Sequence, residues 1–214
     1  MKLEWIGHAC FRLTAEDGTV VITDPYDESV GIEMIPLEAD LITMSHEHHD
    51  HNETRMIVGS PRIVRGTQAA SAGSVTSRAV ASWHDGERGA RRGPNAIRIF
   101  EIDGLKVVHM GDQGCMPDGN VLAAIADADV MMIPVGGTYT VDAQGAKEIL
   151  SRAKPKCVIP MHVKTKHCPY PIAPVAPFLR AMGAEDRQGV REMIWMEEHR
   201  PQGVLLMQPL ADVL

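Results

Sequence analysis

The chain has 214 residues, 44% hydrophobic and 23% charged, which suits one globular domain whose core needs no disulfide. A formal net charge of −7 excludes a long nucleic acid as the main partner, since a phosphate backbone asks for a basic face. Nothing approaches the roughly 20 apolar residues of a membrane span, the first residues lack a signal-peptide pattern, and Cys10, Cys115, Cys157 and Cys168 are scattered, as reduced thiols of a cytoplasmic protein would be.

The first third reads as strands. Leu3–Ile6, Cys10–Leu13 and Thr19–Thr23 are β-prone runs, and Glu16-Asp17-Gly18 supplies a hairpin turn between the second and third. Leu41–Met44 is a short apolar run suited to a buried strand, and it leads directly into a histidine cluster. A helix is expected to open at Asp50 and run to Val58. Arg62–Val64, Arg78–Ala81, Ala96–Ile102 and Lys106–His109 follow as strands, with the Gly- and Arg-rich stretch from Asp85 to Asn95 as a flexible loop.

In the second half Asp129–Ile133 reads as a buried strand ending in the loop Pro134 to Tyr139. Thr140 or Asp142 caps the next helix, whose Ala143, Ala146, Ile149 and Leu150 share one face, and Pro155 stops it. Cys157–Met161 forms a strand leading to His162, Ala173–Met182 a helix closed by Gly183, and Met193–Met196 and Val204–Met207 the last strands. Sheet-rich halves with interspersed helices predict packed sheets with helices outside, as one domain over residues 1–214.

The chemistry concentrates in Ser45-His46-Glu47-His48-His49-Asp50-His51-Asn52. Imidazole nitrogens and carboxylate oxygens are the donors that zinc, manganese or iron(II) accept. His46 and His48, two apart, project to one side of an extended loop and can grip one ion. Asp50 and His51, adjacent at a helix start, diverge towards a second. Two divalent ions are therefore expected, zinc first.

The spacing His46-x-His48-x-Asp50-His51 resembles the signature of the metallo-β-lactamase superfamily, which implies an α/β four-layer αββα sandwich. The resemblance extends to Val107-Val108-His109-Met110-Gly111-Asp112, the strand that would deliver a bridging carboxylate, and to Val158-Ile159-Pro160-Met161-His162, which would deliver the last histidine. It implies a first site of His46, His48 and His84, and a second of Asp50, His51 and His162, with Asp112 between. His84 is assigned by its order along the chain, with His109 as the competing candidate. Ile6 to Phe11, Thr23-Asp24-Pro25 and the Pro134 to Thr140 loop are similar to small metal-dependent hydrolases related to ascorbate-6-phosphate lactonase. Asp112 stands where many true β-lactamases place cysteine, which argues against antibiotic hydrolysis.

Around this set, Asp24 is expected to hold a ligating imidazole through its N–H rather than to ligate. His109 is expected to face away as a structural residue, and His49 to point outwards or support its neighbours. His8 reads equally as a residue that orients a metal ligand or lines the pocket, or as a hydrogen-bonded strand end. Tyr139 reads as an oxyanion donor or as loop packing. Lys164, Lys166 and His167, and likewise Arg88, Arg91 and Arg92, read either as an attraction for an anionic substrate or as solvated loops. The expected activity is hydrolysis of a small ester-like bond, a lactone or phosphorylated sugar lactone, with Asp50 as the catalytic carboxylate. Phosphodiester hydrolysis of a small nucleotide, and an iron-binding redox or non-catalytic role, are the alternatives. The partner is a small molecule, and self-association stays open.

Overall fold

The computed structural model describes residues 1–196 and 198–210. Its strands are β1 (Lys2–Gly7), β2 (Cys10–Thr14), β3 (Val20–Thr23), β4 (Leu37–Glu38), β5 (Leu41–Met44), β6 (Ile57–Val58), β7 (Arg62–Arg65), β8 (Ala70–Ala72), β9 (Val75–Trp83), β10 (Pro94–Ile102), β11 (Leu105–His109), β12 (Val130–Pro134), β13 (Cys157–Met161), β14 (Glu192–Ile194) and β15 (Gly203–Val204). Three α-helices, α1 (Gly119–Ile125), α2 (Ala143–Ala153) and α3 (Ala176–Met182), lie in the second half. Six strands form one sheet in the order β14-β1-β2-β3-β5-β7, and seven form the other in the order β15-β13-β12-β11-β10-β9-β8. The two pack as an α/β sandwich.

Period-two alternation explains the stacking. In the first sheet Leu3, Trp5, Phe11, Leu13, Val21 and Leu41 belong to the main core, while Ile6, Cys10, Ile22, Ile42 and Met44 belong to a second cluster on the other face. The second sheet continues the main core: β12 and β13 are buried at every position, as parallel strands covered on both faces must be. α2 turns Ala146, Ile149, Leu150 and Ala153 towards that core, and the Asp142 carboxylate caps it by accepting from the N–H groups of Gln144 and Gly145. The outer layer over the first sheet is thinner. It consists of a one-turn 3-10 helix, Glu28–Val30, and the β4–β6 ribbon, with Tyr26, Val30, Ile32, Met34 and Leu37 closing the second cluster.

Two helix expectations change and one helix is new. No helix opens at Asp50: the chain makes a turn in which the His51 N–H bonds the His48 carbonyl at 2.9 Å, and a second turn, with the Ile57 N–H on the Thr54 carbonyl at 3.0 Å, leads into β6. Asn52 and Thr54 are weak helix formers, and the Met56 carbonyl and Glu53 N–H are taken by Leu37 and Pro25. The third helix starts at Ala176 rather than Ala173, because the Ala173 N–H and C=O are bonded to Gly136 and Lys164. Helix α1, begun by the Asp118 cap, has no counterpart in the sequence reading. It is seven residues long, too short for periodicity to stand out.

The topology also decides where function sits. β1, β3 and β5 run in one direction in the first sheet, and β9, β11, β12 and β13 share a direction in the second. His8, Asp24, the 45–51 turn, His84, Asp112 and His162 all follow within a few residues of the carboxyl ends of these strands. Short loops held by rigid strand ends can carry side chains whose mutual positions are fixed.

Candidate metal centre

The Asp112 carboxylate is the hub. Its Oδ2 lies 3.1 Å from His84 Nε2, 3.2 Å from His162 Nε2 and 4.0 Å from His46 Nε2, and its Oδ1 lies 3.2 Å from His51 Nε2. Donor atoms within 4.8 Å of one another gather into three groups: His46, His48 and His84; His8, Asp50, His51 and His162; and Asp24, His46 and His51, which overlaps the other two. His46 Nε2 and His48 Nδ1 approach to 3.0 Å, which brings two imidazole nitrogens together at the hub.

The hydrogen bonding tests whether a cation fits. His51 Nε2 and Asp112 Oδ1 are buried and make no hydrogen bond, although only 3.2 Å separates them. Buried polar atoms without partners are costly, and atoms aimed past one another at a shared point are what a cation would satisfy. The opposite edges are anchored. Asp24 Oδ2 accepts from His51 Nδ1 at 2.9 Å, and Ser45 Oγ meets His46 Nδ1 at 2.9 Å while donating to Asp24. Those bonds set which nitrogen of each ring faces inward. The residues fit a metal.

Electrostatics divide the imidazoles around the hub. Burial, with His51 close by, pushes His46 down to about 3, and burial beside His162 pushes His8 down to about 4, so both rings are neutral ligand-type imidazoles at neutral pH. Burial opposes the Asp112 anion, yet His162 and His51 hold its carboxyl well below the ordinary range. For His51, Asp112 and Asp24 overcome burial and raise it.

Backbone geometry serves the cluster. His8, Asp24 and His162 have φ of 53°, 37° and 52°, a left-handed conformation that costs non-glycine residues energy and persists where the surroundings enforce it. Gly111, at φ 55°, passes so close to Asn95 and Ser45 that a Cβ would fall 2.3 Å from Asn95 Oδ1. That approach lets Asn95 Oδ1 accept the Asp112 N–H at 3.0 Å and fix the hub.

Residues 2–162 match the family model for a β-lactamase superfamily domain. The chain belongs to that superfamily. Among relatives in the superfamily, a UPF0173 metal-dependent hydrolase of Thermoplasma acidophilum is 30% identical, covering 77% of this chain and 84% of the relative. One from Archaeoglobus fulgidus is 29% identical over the same shares. A crystal structure from Thermotoga maritima, described as a candidate zinc-dependent hydrolase of the metallo-β-lactamase superfamily, superposes with a TM-score of 0.78 at 33% identity, covering 96% of this chain and 97% of that one. Superfamily membership places the chain among metal-dependent hydrolases.

Above the hub a cleft of about 290 Å³ is lined by His48, His49, Asp50, His84, Arg92, Asp112, Tyr139, His162 and Tyr170. The structure puts His84, not His109, beside His46 and His48. Both nitrogens of His109 are otherwise engaged, Nε2 with the Ala9 carbonyl at 2.8 Å and Nδ1 with the Gly111 N–H at 3.2 Å. His49 is exposed at the rim of the cleft, where its Nδ1 bonds Asp27 and Ser29. Tyr139 lines the cleft, while His8 is buried and does not line it; its Nε2 lies 3.3 Å from Asp50 Oδ2, where it can orient that carboxylate. Lys164, Lys166 and His167 are exposed and do not line the cleft. The Lys164 N–H is bonded to Ala173, its ammonium donates to the Tyr170 carbonyl at 2.7 Å, and the His167 backbone packs on Gly31. That loop presents Tyr170 instead, whose hydroxyl bonds Ser29 Oγ at 2.6 Å. Sequence reasoning missed Tyr170; the one available signal was its place between Pro169 and Pro171, eight residues after His162. Asn95 gave no signal, because its partner is distant in sequence.

Proposed function

We propose that this metal-dependent hydrolase cleaves a small ester-like bond, a lactone or phosphorylated sugar lactone by preference, using two divalent ions, zinc in the first instance and manganese or iron(II) as alternatives. The observation that carries the reading is the pair of donor groups flanking Asp112 at the floor of a cleft of about 290 Å³, a size suited to a small substrate. His46, His48 and His84 would hold one ion and Asp50, His51 and His162 the other, with Asp112 between them. Two bound ions supply Lewis acidity and bring the pKa of water from 15.7 to about 7.

The side chains supply the rest. Asp50 lines the cleft while its Oδ2 contacts His8, so this carboxylate can orient a water and take up its proton with a buried imidazole behind it. Tyr139 offers a phenolic donor at the wall, where charge grows on an attacked carbonyl oxygen. The site is made of one chain's residues over most of its length, and we treat residues 1–214 as one domain. Cys10, Cys115, Cys157 and Cys168 are free thiols, which supports a reducing cytoplasm, and no helix among the described residues is long and apolar enough to cross a membrane.

Metal analysis of purified protein, followed by assay of lactones and phosphodiesters before and after chelation, tests the reading. The expected result is close to two ions per chain and metal-dependent opening of a lactone. Metal-replete protein that cleaves phosphodiesters and leaves every lactone intact would overturn it.

A further inference from the structure

The loop that follows His84 is organised around one carboxylate. Asp85 Oδ1 accepts from the N–H groups of Glu87 and Gly89 at 2.8 and 2.9 Å, and Oδ2 from those of Arg91 and Arg92 at 3.0 and 2.8 Å. The Gly93 N–H closes the turn onto the Gly89 carbonyl at 2.9 Å. A stretch that its composition marks as flexible is thus pinned at four backbone positions, and the pin sits next to the proposed ligand His84.

The clamp separates two neighbouring arginines. Arg91 points to solvent and pairs with Glu87 at 2.5 Å. Arg92 turns into the cleft, its guanidinium carbon 5.5 Å from the centre of the Tyr139 ring. Among the described residues no carboxylate oxygen lies within ion-pair distance of it. A guanidinium resting on an aromatic face keeps its in-plane N–H fork free, the geometry that takes a carboxylate or phosphate by two parallel bonds. Among the described residues Arg92 is the one arginine or lysine that lines this cleft, and in a chain of net charge −7 a local cation is what retains an anion.

We propose that Arg92 binds an oxyanion substituent of the substrate, a carboxylate or phosphate remote from the bond that breaks, and that Asp85 is the positioning residue that aims it. The inference rests on reading the cleft as a hydrolytic site, and it adds the substrate class.

The test compares an ester bearing a remote carboxylate with its carboxamide analogue, and a phosphorylated with an unphosphorylated lactone, on metal-loaded protein. Steady-state kinetics are run beside calorimetric binding of non-hydrolysable versions of each pair. Wild-type protein is expected to favour the anionic member by about 10- to 100-fold in KM and in Kd, the range of a charge-assisted hydrogen-bond pair. Added salt should shrink that advantage. Arg92→Gln should abolish the preference, Arg92→Lys should restore part of it, and Asp85→Asn should weaken it with metal content held. Equal binding of charged and neutral members by wild-type protein, or a preference that survives Arg92→Gln, would overturn the proposal. Turnover without anion preference leaves the hydrolytic reading standing and removes this one. Arg92-dependent anion binding without turnover of any ester does the reverse.

Discussion

Asp24 and His51 form a carboxylate–imidazole pair, Oδ2 to Nδ1 at 2.9 Å, and the pair leaves His51 Nε2 facing Asp112. Asp24 also accepts from the Ser45 N–H at 2.8 Å, so one buried carboxylate holds the ring and the start of the turn that carries it. Asp24→Asn keeps the shape and tolerates the left-handed backbone at φ 37°, yet its amide nitrogen would oppose the imidazole N–H. The variant is expected to fold and to bind metal about 10- to 100-fold more weakly, measured by competition with a chromophoric chelator. Unchanged affinity would remove Asp24 from the machinery.

Asp112 faces both donor groups, so its loss should be felt at both. Asp112→Ala is expected to reduce metal content below one ion per chain by elemental analysis. Chelation of the wild-type protein should lower Tm, because ions bound to the folded state alone stabilise it by mass action. Retention of two ions in the variant would contradict the hub.

His84 and His109 separate on two different measurements. His84→Ala should lower metal content sharply and leave much of the thermal stability of the metal-free protein. His109→Ala should keep the metal while costing about 2–4 kcal/mol, from a cavity, from the lost bond to Ala9 that joins the two sheets, and from the lost local bond to the Gly111 N–H. Loss of metal in the His109 variant with retention in the His84 variant would exchange their roles.

Far from the site, Glu4 is buried and takes a two-pronged bond from Arg12 at 2.6 and 2.7 Å, with Lys2 at 3.2 Å. Burial opposes the anion, but Arg12 and Lys2 prevail and hold its carboxyl below the usual value. A depressed folded-state pKa gives stability that is present above the ordinary glutamate value near 4.3 and is lost as pH falls through the folded one. Glu4→Gln is therefore expected to cost about 1–2 kcal/mol at pH 7, allowing for solvent around Arg12, and progressively less in denaturant titrations taken below pH 4. A difference independent of pH would show that packing, not charge, dominates there.

The sequence by itself determined the donor chemistry and much of the fold. The apolar run Leu41–Met44 ending in His46-x-His48-x-Asp50-His51 is local information: a buried strand and a ligand turn are written in adjacent residues. Hydrophobic alternation placed most of the main strands, and the pair Thr140 and Asp142 marked the second helix through a cap that acts over three residues, Asp142 being the one that caps it. Where local signals were weak or competed with distant bonds, the reading failed, as in the expected helix at Asp50 and the early start of the third helix. Only the tertiary structure decided between His84 and His109, because both lie near strand ends. What separates them is whether each ring's nitrogens meet donors from other strands or backbone groups from the facing sheet. It also moved the cleft's cation from Lys164 and Lys166 to Arg92. Those lysines are close to His162 in sequence, but the backbone pairing of Lys164 with Ala173 turns their loop outward, while Asp85 folds the Arg92 loop in. Proximity along the chain is set by covalent bonds. Proximity in the cleft is set by which strands share a direction, so that their carboxyl ends, 8 to 162 in residue number, meet at one edge of two sheets.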